Sequence, residues 1–314
     1  MRSGHTFPFR FSPMLGLVVL ALLGEPASSA TLEVGAGKAF KAPSEAAAAA
    51  KPGDTIRIEP GTYYDCAVWT AANLTIEGTG PGAVLTDKVC QGKAIFVVHA
   101  DNVRIANLTF TRARSEDENG AGIRAEGVNL TVENGKFTDN QEGILAGDNP
   151  ESTIVVRNSQ FVHNGACIAA CAHGIYVGHI RLLSVDHSRF FDTQAAHHIK
   201  SRALRTEIID SRIEDGPAGT ASYLVDLPNG GSLFMTGNTL EKGPQNGNHT
   251  AAISIGEEGV DQPTGEIVLT NNTFTNDGHP TAFVKNVTAT PATLAGNVLK
   301  GSGVTPLIGD GTVH

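Results

Sequence analysis

The chain has 314 residues and a formal net charge of −9, because 32 acidic side chains outnumber 23 lysines and arginines. An acidic chain lacks the cationic surface that general nucleic-acid binding requires, so no nucleic-acid partner is expected. Any anionic ligand would need a local basic patch. The 36 glycines and the scarcity of helix-like periodicity favour one large domain of short strands and turns.

Residues 1–30 are predicted to be a secretory signal peptide. Arg2 and Arg10 give a positive start, and the apolar run Met14–Gly24 is too short to span a membrane. Small residues follow, as a cleavage site requires. No other segment of the sequence is apolar enough to cross a membrane. Residues 31–314 are therefore expected to form a secreted or periplasmic domain with no membrane partner.

Phe40–Ala50 is predicted to form the one helix. Ser44 can cap it, Glu45 lies in its first turn, and its alanines favour a helical backbone. The next segment, Lys51–Tyr63, has Gly and Pro turns around a short alternating strand. The helix is expected to cover the first strands of the domain, where an open sheet edge would invite aggregation.

After this segment a four-residue phrase recurs in the sequence. Each copy is predicted to end a short strand with a large apolar residue. Successive phrases begin 23 to 34 residues apart, and such a loose period of strands, Gly and Asn is typical of a stacked solenoid. The predicted fold class is therefore all-β, a parallel β-helix. A β-sandwich does not need the same phrase eight times, and a propeller blade needs a longer repeat. The last residue of each phrase is expected to belong to one internal column: Phe110, Phe137, Phe161, Phe190, Ile213, Leu240, Phe274 and Leu299.

The chain carries an even number of cysteines: Cys66, Cys90, Cys167 and Cys171. In an exported chain this number favours two disulfides. The first pair would tie the first two turns of the solenoid together, and the second pair would close a small loop. The alternative for the second pair is a zinc site with His163 and His173, which an oxidising compartment disfavours.

The segment His197–Arg212 begins with cationic or proton-carrying residues at alternating positions, His198, Lys200 and Arg202. Side chains two residues apart on a strand share a face, so these three are predicted to lie together on the outside. Lys200 is then expected between a tyrosine and an aspartate, each one turn away. Aligning the repeats gives this outward column: Arg124, Leu145, Tyr176, Lys200 and Asp226.

Lys51–Tyr63 and the repeats that follow it resemble the right-handed parallel β-helix proteins of the pectin-lyase superfamily. The resemblance implies a single-stranded right-handed parallel β-helix, with the predicted helix as its N-terminal cap. The tripeptide IKS at 199–201 is similar to the Lys-Ser strand of the chondroitinase B and alginate lyase group, in which the lysine is the base for β-elimination. That group carries a catalytic arginine on the next turn, where this chain has Asp226.

The resemblance implies a polysaccharide lyase whose partner is an acidic polysaccharide containing uronic acid. β-Elimination needs a group that neutralises the carboxylate, a base for the C5 proton and an acid for the departing O4. Arg202 can hold a carboxylate in a two-point fork, and Lys200 can be the base in its neutral form. Tyr176 or His198 can deliver the proton. Further substrate contacts are predicted from four residues: Asp226, Arg124, His173 and Arg205.

Other functions on the same fold stay open. A C5-epimerase shares the proton-abstraction step, and a non-catalytic polysaccharide-binding protein of the envelope or surface would keep the basic patch. A glycoside hydrolase would need two carboxylates at a set separation, and Asp226 has no evident partner among the outward positions. Lys200 and Arg202 could also be exterior ion-pair partners of Asp226 and Glu126.

No cofactor is expected from the sequence, and the chain is expected to be a monomer. Ca²⁺ could be held by Glu142 with Asp148, or by Glu257 with Glu258. The spacing of these residues selects neither pair.

Overall fold

The computed structural model describes residues 1–5, 8, 29–168 and 171–314. Most of the predicted signal peptide, including its apolar run, lies outside the described residues. Within them, no helix is long and apolar enough to cross a membrane. The regular secondary structure of the described residues is almost entirely β, as predicted.

The strands and the one helix of the described residues are short. The first part of the chain contains β1 (Thr31–Val34), α1 (Pro43–Ala49), β2 (Thr55–Ile58), β3 (Gly61–Tyr63), β4 (Ala67–Trp69), β5 (Thr75–Gly78), β6 (Ala83–Thr86), β7 (Ala94–Val98), β8 (Val103–Ala106), β9 (Thr109–Thr111), β10 (Ala121–Ala125), β11 (Leu130–Glu133), β12 (Lys136–Thr138), β13 (Glu142–Ala146), β14 (Asn149–Arg157), β15 (Gln160–Val162), β16 (Ala166–Cys167) and β17 (Cys171–Ala172). The second part contains β18 (Ile175–Val177), β19 (Ile180–Asp186), β20 (Arg189–Phe191), β21 (His197–Ser201), β22 (Arg205–Ile209), β23 (Arg212–Glu214), β24 (Tyr223–Leu227), β25 (Ser232–Thr236), β26 (Thr239–Lys242), β27 (Ala251–Ile255), β28 (Ile267–Thr270), β29 (Thr273–Asn276), β30 (Thr281–Asn286), β31 (Ala292–Ala295), β32 (Val298–Gly301), β33 (Val304–Ile308) and β34 (Gly311–Val313).

The strands form three long parallel sheets, so the chain winds as a parallel β-helix of about 11 turns. Sheet I has the order β1-β2-β5-β8-β11-β14-β19-β22-β25-β28-β31-β34, and sheet II has the order β3-β6-β9-β12-β15-β20-β23-β26-β29-β32. Sheet III has the order β4-β7-β10-β13-β18-β21-β24-β27-β30-β33. Within each of these sheets, a strand pairs with the strand of the turn before it and with the strand of the turn after it, except at the two ends of the sheet. A given position therefore recurs along the solenoid about every 4.8 Å.

The predicted internal column is confirmed in sheet II, where its eight residues are register partners in unbroken succession from Phe110 to Leu299. The rings of Phe137 and Phe161 stack with centroids 4.6 Å apart, and Phe161 and Phe190 stack at 4.5 Å. All members except the half-buried Leu299 are fully buried. The recurring phrase therefore corresponds to one strand of sheet II in each turn.

Buried asparagines satisfy the backbone where one strand turns into the next. The Nδ2 atom of Asn238 donates to Oδ1 of Asn272 at 2.9 Å, and Asn272 donates in the same way to Asn297 at 2.9 Å. Asn140 and Asn164 form a similar buried pair at 3.0 Å. Each such amide meets both its neighbour's amide and nearby backbone groups, which a buried turn otherwise leaves unpaired.

The predicted N-terminal cap is confirmed, but its helix is shorter than Phe40–Ala50. It covers Pro43–Ala49 and follows Ala42, which makes no side-chain cap. The prediction that Ser44 caps the helix is wrong, because Pro43 starts the helix before it; proline suits a first turn, where its missing N–H is not needed. The backbone N–H of Ser44 instead donates to Asp65 at 2.8 Å.

Both predicted disulfides are formed, Cys66–Cys90 and Cys167–Cys171. The first precedes β4 and β7, which pair in sheet III, so it links successive turns. The second closes the antiparallel pair of β16 and β17. Because both sulfurs of the second pair are bonded to each other, they are not available as zinc thiolates, and the zinc alternative is wrong.

Candidate active site

The outer face of sheet III carries the predicted column of outward residues. Lys200 on β21 lies between Tyr176 on β18 and Asp226 on β24, as predicted. The register extends this set, which we call the outer column, at its far end. In order, one turn at a time, its members are Arg124, Leu145, Tyr176, Lys200, Asp226, Ser254 and Lys285.

His198 does not lie on this face, and the prediction that it would is wrong. Its side chain is fully buried, with Nδ1 2.7 Å from Oγ1 of Thr193 and Nε2 2.9 Å from Oδ1 of Asp215. The neighbouring Ile199 is also buried, so the alternation of buried and outward side chains is interrupted inside β21 and is regular only from Ile199 onward. His197 faces outward instead, so His198 does not reach a ligand on this face.

Four side chains beside the outer column form what we call the histidine ladder: Glu142, His173, His197 and Tyr223. Oε2 of Glu142 accepts the backbone N–H of His173 at 2.9 Å. Nδ1 of His173 accepts the N–H of His197 at 3.1 Å, and Nδ1 of His197 accepts that of Tyr223 at 3.1 Å. The two imidazole rings stack with centroids 5.0 Å apart. Because Nδ1 is an acceptor in both rings, we assign the proton of each to Nε2.

Burial determines the charge of the histidine ladder. It lowers the pKa of His197 to about 3 and the pKa of His173 well below its usual value, so both rings are neutral near pH 7. Burial also raises the pKa of Glu142 well above its usual value. Oε1 of this carboxyl has no hydrogen-bond partner among the described residues. The ladder therefore presents two neutral imidazoles beside the outer column.

Lys200 and Arg202 form a partly shielded pair of cations, which we call the cationic pair. Their side chains are 12% and 18% exposed. Nζ of Lys200 lies 5.8 Å from the centre of the Tyr176 ring, and Nε of Arg202 donates to the Tyr176 hydroxyl at 2.9 Å. Arg202 also donates to Oδ1 of Asn229. Two cations and one hydroxyl therefore meet across two neighbouring turns of the solenoid.

A carboxylate from another part of the chain bridges the cationic pair. Oε1 of Glu258 accepts from Nζ of Lys200 at 2.8 Å, and Oε2 accepts from Nη2 of Arg202 at 2.6 Å. Glu258 belongs to residues 256–266 between β27 and β28, which we call the covering loop. Partial burial acts against ionisation, but the hydrogen bonds from the two cations outweigh it and lower the pKa of Glu258. This carboxylate is therefore ionised at neutral pH.

Asp226 is the second carboxyl group at the cationic pair. Its side chain is 5% exposed, and its Oδ2 atom lies 3.7 Å from Nζ of Lys200 and 3.5 Å from Nε2 of His197. Burial raises the pKa of Asp226 to about 7, although the nearby ammonium group opposes the shift. Near neutral pH Asp226 can therefore be protonated or ionised, whereas Glu258 is ionised.

Of the other predicted substrate contacts, His173 lies beside the site, with its ring centre 5.4 Å from that of Tyr176, whereas Arg124 and Arg205 do not lie at Lys200. Arg124 lies on the outer column three turns earlier and forms an ion pair with Glu126 at 3.3 Å. His173 is 2% exposed. Arg205 lies on β22 of sheet I, where it is paired with two glutamates of that face. Of the exterior ion pairs predicted for Lys200 and Arg202, the one with Asp226 is present, and the one with Glu126 is replaced by Glu258.

The geometry does not support either carboxylate pair proposed for Ca²⁺. Glu257 faces Lys285, and Glu258 faces the cationic pair, so both carboxylates already have cationic partners. Glu142 is buried, whereas the Asp148 side chain is 68% exposed. Across residues 29–168 and 171–314 no group of three or more His, Cys, Asp and Glu residues is arranged to hold a metal ion.

Three residues of this site were not predicted to lie beside Lys200: Glu258, His197 and Tyr223. The sequence did contain an indication of Glu258. The phrase GNTL at 237–240 is followed by the next phrase 34 residues later, which is the longest interval between phrases. An overlong step means an inserted loop, and here the insertion folds back over the site. His197 gave no comparable signal, because its orientation depends on where alternation begins within β21.

No family model matches the chain, and no curated protein matches it in sequence. Solved structures do share its fold. An alginate lyase from Paenibacillus sp. str. FPU-7 is 22% identical with a TM-score of 0.67, covering 88% of this chain and 99% of that one. The pectate lyase Pel9A is 16% identical with a TM-score of 0.59, covering 90% of this chain and 80% of that one. The chain therefore has the right-handed parallel β-helix fold of these solved structures, as predicted.

Proposed function

We propose that this protein is a secreted polysaccharide lyase that cleaves a uronic-acid-containing polysaccharide by β-elimination at the cationic pair. The observation that carries the proposal is the meeting of Lys200, Arg202 and the Tyr176 hydroxyl on one exposed face of the solenoid. These are the group types that β-elimination requires: a base, a carboxylate neutraliser and a proton donor. The fold shared with an alginate lyase and a pectate lyase is consistent with this proposal.

In this mechanism Arg202 binds the substrate carboxylate, which makes the C5 proton more acidic. Lys200, in its neutral form, takes that proton. The electrons of the C5–H bond form the C4–C5 double bond, and the C4–O4 bond breaks. The Tyr176 hydroxyl protonates the leaving O4; its oxygen accepts from Arg202, so its own proton remains free to be donated.

The distribution of cations along the outer column fits an extended anionic chain. Arg124 lies three turns before Lys200 and Lys285 lies three turns after it. At about 4.8 Å per turn, each lies about 14 Å from the level of Lys200. A polymer that follows the column would therefore meet a cation at both ends and at the centre, although the protein as a whole is acidic.

The proposal is tested by incubating the purified mature protein with alginate, polygalacturonate, glucuronan and glycosaminoglycans. The unsaturated product absorbs in the ultraviolet, and we expect this signal with at least one polymer. Lys200→Met should lower the rate at least about 100-fold, the usual contribution of a general base. Lys136→Met, an exposed change on sheet II, is the matched control and should retain activity. Absence of the signal with every polymer would show that the protein is not a lyase of these substrates.

A second candidate, a glycoside hydrolase, is favoured by one observation. Asp226 and Glu258 both approach Nζ of Lys200, and their pKa values are shifted in opposite directions. Glycoside hydrolysis uses two carboxyl groups, one protonated and one ionised, whose pKa values differ in this way. Hydrolysis would release reducing ends without ultraviolet absorbance. Solvent deuterium at C5 without cleavage would identify a C5-epimerase, and binding alone would identify a non-catalytic protein.

A further inference from the structure

The cationic pair already holds a carboxylate in this structure, and the carboxylate belongs to the protein. Each oxygen of Glu258 meets a different cation, at 2.8 Å for Lys200 and 2.6 Å for Arg202. The two cations are largely shielded, whereas the Glu258 side chain is 47% exposed. An exposed side chain thus pairs two shielded charges, and its oxygen at Arg202 lies where the proposed mechanism places the carboxylate of a uronate.

The covering loop is anchored without the Glu258 carboxylate. The backbone N–H of Glu258 donates to the carbonyl of Pro228 at 2.9 Å, and the N–H of Gln262 donates to that of Asn229 at 2.9 Å. The Gln262 side chain donates to the carbonyl of Arg202 at 3.1 Å. Because these bonds use backbone and amide groups, the Glu258 side chain can rotate into solvent while the loop keeps its course.

We propose that Glu258 is a specificity-determining residue that fills the ligand's carboxylate position in the free protein and is displaced by a uronate carboxylate. A carboxylate ligand replaces one counter-ion with another, so the shielded cations remain paired. A neutral or esterified sugar offers no such replacement, and displacing Glu258 would leave Arg202 without its carboxylate partner and Lys200 with Asp226 alone in a shielded site, which is costly. This inference rests on the proposed location of substrate binding and adds how that site selects acidic sugars.

The test is a binding measurement, which does not depend on turnover. Glu258→Ala and Glu258→Gln are titrated by calorimetry with polygalacturonate, alginate and hyaluronan, beside the unmodified protein. Removing the internal competitor should tighten binding of at least one polymer about 3- to 10-fold, the range expected from losing two partly exposed ion pairs. Glu266→Ala is the matched control, since it removes a similarly exposed carboxylate of the same loop that pairs with Arg205 on sheet I.

The outcomes separate this inference from the proposed reaction. Tighter binding of an acidic polymer by both Glu258 variants, with no gain for Glu266→Ala or for methyl-esterified pectin, supports it even if no unsaturated product forms. Unchanged or weaker binding of all three acidic polymers overturns it, even where the lyase assay is positive. An equal gain for methyl-esterified pectin also overturns it, because Glu258 would then block the face by its bulk alone.

Discussion

Asp226 illustrates how much the surroundings of one residue matter in this molecule. It occupies a position on the outer column that would be exposed on a bare sheet, yet the covering loop and the histidine ladder leave it 5% exposed. A carboxyl so placed is stabilised in its protonated form by burial and in its ionised form by Lys200. Burial is the stronger effect, which gives the folded protein a proton that the unfolded chain would release at lower pH.

This imbalance predicts a specific pH dependence of stability. The pKa of Asp226 is raised from 3.8 to about 7 on folding, so its contribution to stability is complete below about pH 4 and is lost as the pH rises to 7. Asp226→Asn has no ionisable group at this position, so its stability does not fall with rising pH for this reason. The stability of the variant relative to the unmodified protein should increase by roughly 4 kcal/mol between pH 4 and pH 8.

Urea unfolding at pH 4, 6 and 8 measures the difference. Asp310→Asn, at an exposed position near the end of the solenoid, is the control and should show no comparable trend. A difference between Asp226→Asn and the unmodified protein that stays constant with pH would contradict the shift.

At the scale of elements, side chains take the place of regular strand pairing at the start of three successive strands of sheet III, β18, β21 and β24. The histidine ladder supplies acceptors for backbone N–H groups at three successive turns. Buried N–H groups without a partner are costly, so these side chains support the sheet as well as bordering the site. Their structural duty also explains why the rings are held neutral and in one orientation.

The ladder predicts that two substitutions of His197 differ in stability. Asn can place its side-chain oxygen near the position of Nδ1 and keep the bond from the Tyr223 N–H, whereas Ala cannot. His197→Ala should therefore be less stable than His197→Asn by about 1–3 kcal/mol, the cost of a buried donor left unsatisfied. Thermal and urea unfolding compare the variants. Equal losses would show that packing of the ring, and not the acceptor, is what matters.

The same scale shows what could be predicted from the sequence. The sheet II column was predictable because a turn of nearly constant length returns each apolar residue to the same position. The outward neighbours of Lys200 followed from that register. His198 was misplaced because strict alternation was assumed through β21, where two consecutive residues are buried. Glu258 was missed because the path of an inserted loop is not contained in the period.

At the scale of the whole molecule, each turn contacts mainly the turns before and after it, so stability is distributed along the axis. The first turns have the helix Pro43–Ala49 on one side and the Cys66–Cys90 bond to hold them together. The Cys167–Cys171 bond lies within a local hairpin and joins no turns. The two disulfides should therefore contribute unequally.

Replacing each cysteine pair with serine measures this inequality. The first bond joins residues 24 apart and the second joins residues 4 apart. Loop-closure entropy then predicts losses of about 3.5 and about 2 kcal/mol, respectively. Urea unfolding under non-reducing conditions compares the two double variants with the unmodified protein. A greater loss from the second pair would show that the 167–171 hairpin supports more of the fold than its local pairing indicates.

The constant spacing of the turns also affects how this surface can change. Every member of the outer column is held at a fixed height by backbone pairing that does not depend on its side chain. Exchanging Leu145 or Ser254 would thus alter one point of contact and leave its neighbours where they are. The inner phenylalanines lack this independence, because each ring packs on the next. Residues of the interior must therefore change together, whereas residues of the outer column can be changed one at a time to suit a different polymer.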